Sequence, residues 1–458
     1  MVYLFLTMHN VLLINPWIFD FAAYDFWNKP LGLLYLASLL RMNSFNVFFV
    51  DCLDPYHPDM RYGLQVIAPR RKESGDGTYA RQAIPKPDPL KGIPKKYHRY
   101  GITPEVFIKT VESIPPPDLI MMTSMMTYWY PAVFEMVSLL HQKFPGIPVV
   151  LGGNYVTLNP RHASQSGAEF CLTGPAEVSI PSLLKNLYNQ DMNFLPDVNH
   201  LDSYPYPSFD LIRHPDQLPI MTSRGCPYRC SYCASHLIND RFLRRDPIRV
   251  VDEIEHWYTR MGIRHFSFYD DALLVVPEGM AVPFLKELIR RRMPIQFHCP
   301  NGLHLREITS ELSGLMFKAG FKTVRFGFET SDGLRQTSTG GKVDNEEFID
   351  AVIKLKQSGY RTEDIGVYLL CGLPGQSADE VMESIHFVRS CGARPIIAEY
   401  SPIPGTGLWN EAVASSPYPI ATEPLFQNNS LLPCRNDSLT YEMYQMLKLK
   451  SRKPDSNL

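Results

Sequence analysis

Residues 218–233 read Leu-Pro-Ile-Met-Thr-Ser-Arg-Gly-Cys-Pro-Tyr-Arg-Cys-Ser-Tyr-Cys. The apolar run at 218–223 predicts a strand, and the glycine turn after it carries Cys226, Cys230 and Cys233 at C-x3-C-x2-C spacing. Three thiols this close cannot pair among themselves without leaving one over, so a metal or a cluster is the natural occupant. Structural zinc would need a fourth ligand, for which His236 is the nearest choice. An iron–sulfur cluster on three cysteines would instead leave one iron open for a substrate or cofactor.

Outward from this loop the chain alternates. Strands are predicted at 218–223, 265–269, 295–299, 323–328, 365–371 and 396–400, with helices at 249–261, 278–291, 310–319, 345–358 and 378–391. Parallel strands with right-handed crossovers are the default for such repeats. Six units over residues 218–408 suit a partial (β/α)6 TIM-type barrel, with the cysteine loop at the strand end where barrel enzymes place their chemistry. Residues 409–458 are a Pro-, Ser- and Asn-rich C-terminal extension with one helix over 438–450.

Upstream, strands at 10–15, 46–51, 118–123, 148–153 and 170–173 alternate with helices at 32–42, 132–143 and 177–188. Residues 1–190 therefore read as a doubly wound, Rossmann-like α/β domain, which binds ligands beyond the carboxyl ends of its strands. Residues 55–117 break the pattern with prolines, lysines and glycines and read as an insertion or long loop, helical only at 105–113. Its basic residues Lys86, Lys91, Lys95, Lys96, His98 and Arg99 read as a solvated loop before they read as an anion site. Residues 191–217 form a Pro-, Asp- and Tyr-rich linker.

Lys and Arg number 45 against 47 Asp and Glu, a net charge of −2, so no basic excess exists to neutralise a nucleic-acid backbone. The apolar share of 45% excludes disorder as the dominant state. Nine cysteines, unevenly spaced, fit a reduced cytoplasm better than a disulfide scaffold. The apolar opening at 1–7 is too short for a signal-peptide core, with Met8 as an alternative start, and no apolar run is long enough to span a membrane.

The cysteine motif at the first strand of six βα units resembles the radical S-adenosylmethionine enzymes. The resemblance implies that Cys226, Cys230 and Cys233 hold a 4Fe–4S cluster, and that S-adenosylmethionine chelates the fourth iron and is cleaved to a 5′-deoxyadenosyl radical. It also implies an external one-electron reductant such as flavodoxin or ferredoxin, and a small-molecule or other substrate that the sequence does not identify. Carried over one by one, Tyr232 lies near the adenine. Asp270 and Asp271, after the second strand, meet the methionine amino group; a helix cap or turn pair is their other reading. Glu329, in Gly-Phe-Glu-Thr330 after the fourth strand, bonds the ribose hydroxyls. Gly372 and Gly375, in Gly-Leu-Pro-Gly375, form the adenine-side turn, and Pro402-Ile-Pro-Gly405 resembles a recurrent turn after the sixth strand. His298 and Asn301 flank the end of the third strand and face either the cavity or the core.

An α/β domain ahead of such a barrel resembles the subgroup with an N-terminal cobalamin-binding-like module. Ser124, Gly152 and Gly153 at strand ends are the candidate cobalamin contacts, with glycines allowing close backbone approach. The Asp-x-His-x-x-Gly loop of many cobalamin binders is missing: the matching region reads Asp-Cys-Leu-Asp-Pro-Tyr-His57, so His57 is not assigned as a cobalt ligand. The domain either binds cobalamin without a protein ligand or plays a structural or substrate-binding part. Three functions follow: a radical enzyme, with cobalamin-dependent methyl transfer as one outcome; a metal-stabilised binding module without turnover; and methylthio transfer. The last expects three further N-terminal cysteines where only Cys52 and Cys171 stand.

Overall fold

The computed structural model describes residues 8–452 and divides into two compact units, one up to Pro215 and one from Asp216. The apolar opening at 1–7 lies outside the described residues.

The first unit is built on five parallel strands in the spatial order Asn46–Asp51, Asn10–Asn15, Leu119–Met122, Val149–Leu151 and Phe170–Cys171. The order reverses between the strands at Asn10–Asn15 and Leu119–Met122, and a doubly wound sheet opens its ligand crevice at that reversal. Val11, Leu13, Leu119 and Met121 on one face pack against Leu33, Leu36 and Leu40 of the helix Leu31–Met42 and Leu184 of the helix Ala176–Tyr188. The segment 191–215 is no free linker: Phe209 is fully buried, and the Ser38 hydroxyl bonds the Tyr206 carbonyl at 2.6 Å and the Ser208 hydroxyl at 2.8 Å.

The 55–117 stretch differs from its reading as a loop. Beyond the helix Pro104–Glu112, it supplies Val66–Ile67, Arg81–Ile84 and Tyr97–Tyr100, which form a four-stranded antiparallel sheet with Ile18–Asp20. Strands of two to four residues are too short to show a period-2 pattern. The sheet also absorbs part of the basic charge: Arg99 pairs with Glu135 at 2.5 Å and lies 5.1 Å from the rings of Trp17 and Phe19.

The second unit holds six parallel strands in chain order: Leu218–Ile220, His265–Phe268, Gln296–His298, Phe321–Glu329, Ile365–Cys371 and Arg394–Glu399. Helices Pro247–Met261, Ala281–Arg291, Ser310–Lys318, Asn345–Gln357 and Ala378–Ser390 connect them. Phe266, Phe268, Phe297 and Phe321 are fully or almost fully buried and stack with centroids 5.0–6.2 Å apart, filling the sheet with aromatic side chains. The tail helix, Tyr441–Arg452, packs beside Ala378–Ser390 on the sixth strand. There Tyr444 and Lys448 both bond Glu399, the lysine at 2.5 Å, so this helix fills the place of the sixth helix of the repeat.

Candidate active site

The cysteine loop leaves the first barrel strand through Ser223–Arg224, which pairs antiparallel with Leu243–Arg244. The Ser231 amide donates to the Thr339 carbonyl at 3.1 Å, and the Leu408 amide donates to the Ser231 carbonyl at 2.8 Å. These bonds pin the middle of the loop between the fourth and sixth units of the sheet. The Cys233 amide donates to the Cys230 carbonyl at 3.0 Å, and the Ser235 amide to Cys233 Sγ at 3.4 Å. All nine cysteines are free, and Cys226, Cys230 and Cys233 line one cavity of about 370 Å³.

That cavity gathers residues from all six barrel strands or the segments that follow them. Tyr232, Asp271, Asn301 and Glu329 line it, joined by Ser235, His304, Lys342 and Tyr368. Glu329 ends the fourth strand at a break in register, with φ 72°, a left-handed backbone strained for a side chain. The bulge turns its carboxylate toward Lys342, 3.6 Å away. A side chain at Gly327 would collide with both groups, so that glycine makes the room for the pair. Burial, with Glu329 and Cys230 alongside, holds the Tyr232 hydroxyl well above its ordinary pKa. Asn301 donates to the Tyr269 carbonyl at 2.9 Å, and the Tyr368 hydroxyl to the Pro300 carbonyl at 2.7 Å. His304 is buried, stacks on Tyr228 at 4.8 Å, and has an Nδ1 without a hydrogen-bond partner. Burial and the cations Lys342 and Arg306 push its pKa down to about 3, so the ring is neutral.

Other predicted residues stand elsewhere. Asp270 is buried outside the cavity, where its Oδ1 accepts from the Thr222 amide at 2.9 Å, the Thr222 hydroxyl at 2.7 Å, the Ser223 hydroxyl at 2.8 Å and the Ser223 amide. Burial raises its pKa to about 6 against those bonds. Gly372 (φ 93°) and Gly375 (φ 66°) are not in the cavity lining; they form a turn in which Gln376 Oε1 accepts from the Gly372 amide at 2.9 Å. His298 is a core residue, bonded to His265 at 3.1 Å and Thr323 at 3.0 Å. Gly405 packs on Leu237, just beyond the cysteine loop. Sequence reasoning missed Lys342 and His304. The Gly340-Gly341 pair before Lys342 marks a tight turn, but nothing around His304 announced it.

The donor set discriminates between occupants. Among the described residues no three His, Cys, Asp or Glu side chains close on one point as ligands of a single ion. His236, the fourth zinc ligand that the sequence offered, is not in the cavity lining. Three thiols spaced round a cavity suit a cluster, in which each sulfur binds a different iron.

Burial, with Asp271 and the other two thiols, pushes Cys226 up to about 11, and Cys230 and Cys233 are also raised, again by burial first. The thiolate is the nucleophile, so in metal-free protein Cys226 should react slowly at neutral pH. Its iodoacetamide alkylation should climb roughly tenfold per pH unit from about pH 7 to 10. Peptide mass spectrometry reads that slope, and a plateau by about pH 8.5 would contradict it.

In the first unit, a cavity of about 230 Å³ opens at the sheet's reversal, lined by Asn15, Lys29, Ser124, Trp129, Gly153 and Asn154 among others. Gly153 has φ 95° and ψ −173°, and a side chain there would fall on the Ser124 backbone. Its missing side chain thus admits the neighbouring strand end. Gly152 lies outside the lining, and its carbonyl accepts from the Ser124 hydroxyl at 2.7 Å. His57 is absent from this lining; its ring nitrogens meet Thr110 Oγ1 at 3.0 Å and the Asp59 amide at 3.3 Å.

The radical SAM superfamily matches this chain over residues 220–388. An uncharacterised methyltransferase of Pyrococcus horikoshii is 24% identical over 331 residues, 66% of this chain and 70% of that protein. The radical S-adenosylmethionine methyltransferase TsrM from Kitasatospora setae superposes with a TM-score of 0.65 at 17% identity, covering 89% of this chain and 76% of its own. The cobalamin-dependent S-adenosylmethionine radical enzyme OxsB, with aqua-cobalamin bound, gives 0.59 at 17% identity over 86% of this chain and 54% of its own. At such identities the two structural likenesses are of fold. Among the described residues, no helix is long and apolar enough to cross a membrane.

Proposed function

We propose that this chain, a radical SAM protein through residues 220–388, cleaves S-adenosylmethionine reductively and transfers a methyl group with the help of cobalamin. The observation that carries the reading is three thiols in one loop, facing one cavity at the carboxyl ends of six parallel strands. A 4Fe–4S cluster, when held by this loop and reduced by an external one-electron carrier, would supply the electron for reductive cleavage of S-adenosylmethionine. Cys226, Cys230 and Cys233 hold the irons. Tyr232, Asp271 and Glu329 orient S-adenosylmethionine, and Asn301 and Lys342 complete the polar wall. Gly372 and Gly375, outside the lining, act by shaping the turn after the fifth strand.

Cobalamin, when bound, serves as the methyl carrier. The cavity at the first unit's strand reversal, with Ser124 and Gly153, supports its binding there, without a histidine to coordinate cobalt. The methyltransferase names of the Pyrococcus protein and of TsrM support the same outcome. An external one-electron carrier such as a flavodoxin or ferredoxin and a small-molecule or other substrate complete the reaction. Nine free cysteines support a reducing, cytoplasmic setting.

Anaerobic purification and reconstitution with iron and sulfide test this. A brown protein absorbing broadly at about 400 nm, which releases 5′-deoxyadenosine or S-adenosylhomocysteine from S-adenosylmethionine, is expected. A colourless protein holding one zinc would overturn the enzyme reading. About one corrin retained per chain on loading with cobalamin is expected as well; its absence would remove methyl transfer and leave the radical chemistry standing.

A further inference from the structure

The cysteine loop has two ends, and both are tied to one short stretch. Asp270 and Asp271 follow the second barrel strand, His265–Phe268. Adjacent residues in extended chain point opposite ways, and these two carboxylates reach different ends of the loop. Asp270 Oδ1 gathers both the amides and the hydroxyls of Thr222 and Ser223, where the chain enters the loop. Asp271 Oδ2 accepts from the Ser235 hydroxyl at 2.6 Å, where the chain leaves it, and the Ser235 amide in turn donates to Cys233 Sγ.

Four donors on one oxygen far exceed what a turn or helix cap requires, and two of them are backbone amides just before Cys226. Asp270 Oδ2, by contrast, is buried without a partner. The desolvation cost of that carboxylate is borne for the entry turn alone, since Asp270 does not line the cavity. The Arg245 amide, donating to the Thr222 carbonyl at 2.9 Å, braces the same turn from its other side.

We propose that Asp270 and Asp271 form a two-ended clamp that holds the cysteine loop open at the spacing its three thiols need. Asp270 is a positioning residue with no contact to S-adenosylmethionine, and Asp271 adds the exit tie to its place in the cavity wall. The inference rests on the reading that the loop holds the cluster, but its first test needs no metal.

Hydrogen exchange on metal-free protein reads the loop directly. Asp270→Asn should speed exchange of the peptide covering 222–235 by about tenfold or more, with peptides of the distant helix 378–390 unchanged. Ser235→Ala should loosen the same peptide from its other end. The double variant should be no looser than the worse single variant, because either release frees the loop. After reconstitution, Asp270→Asn should take up less than about half the wild-type iron, while the clustered fraction binds S-adenosylmethionine with unchanged Kd.

Wild-type exchange in Asp270→Asn would overturn the clamp. So would weakened S-adenosylmethionine binding with exchange unchanged, which would make Asp270 a ligand contact. If Asp270→Asn does not fold, Thr222→Val with Ser223→Ala removes the two hydroxyl donors and is held to the same exchange result. Should wild-type protein form no cluster at all, the proposed function fails, yet the exchange arm still decides the clamp.

Discussion

Cys230→Ala should bind less than about one iron per chain after reconstitution and lose S-adenosylmethionine cleavage by at least about a thousandfold. Of the three thiols Cys230 is the buried one, 7% exposed, while Cys226 and Cys233 are partly open. It is also the one that interacts with the Tyr232 hydroxyl, so its loss removes both a proposed iron ligand and a neighbour of that ring. The substitution deletes a single sulfur and should cost the metal-free fold only about 1 kcal/mol. Metal-free melting temperatures of the variant and the wild type should therefore agree within a few degrees. Iron analysis and 5′-deoxyadenosine release check the rest. Full cleavage activity in the variant would contradict the assignment of the three ligands.

Gly153→Val should destabilise the first unit by about 3–5 kcal/mol. The φ and ψ at this position belong to a region populated almost only by glycine, which costs a side chain about 1–3 kcal/mol. A β-branched side chain must also displace the Ser124 backbone, and overpacking of that kind costs about 1–3 kcal/mol more. For a unit of this size the melting temperature should fall by about 10 °C. Because Ser124 lines the same cavity, corrin retention should fall with it. Calorimetry of the metal-free protein separates the two units' transitions, and an unchanged first transition would show that the turn yields at no cost.

The alternation of strands and helices was readable because amphipathic helices of 9 to 15 residues separate the apolar barrel strands, short as some of these are; Ile365–Cys371 in the barrel and Asn10–Asn15 in the first unit match their predicted bounds. The antiparallel sheet escaped notice because its strands in the insertion are two to four residues long and pair across distant turns. Tyr232, Asp271 and Glu329 could be located from their positions at strand ends. The separate placements of Asp270 and Asp271 could not, since only the final twist of the second strand decides which of two adjacent carboxylates meets the cavity. Lys342 and His304 come from connecting segments whose arrival depends on the whole sheet. Such residues leave no periodic trace in a single sequence.

The sixth barrel helix arrives late. Its strand ends at Glu399, yet the covering helix begins at Tyr441, after about forty residues of turns and short helices. Compared with a connection of about four residues, closing that excursion costs roughly 2 kcal/mol of chain entropy, offset in part by Tyr444 and Lys448 on Glu399. During synthesis the sixth strand must therefore wait uncovered until the ribosome has passed Arg452. A chain that ends between 409 and 440 carries Leu408 and every other partner of the cysteine loop but lacks the helix that covers its sixth strand, and so leaves that edge open to pairing with a neighbour.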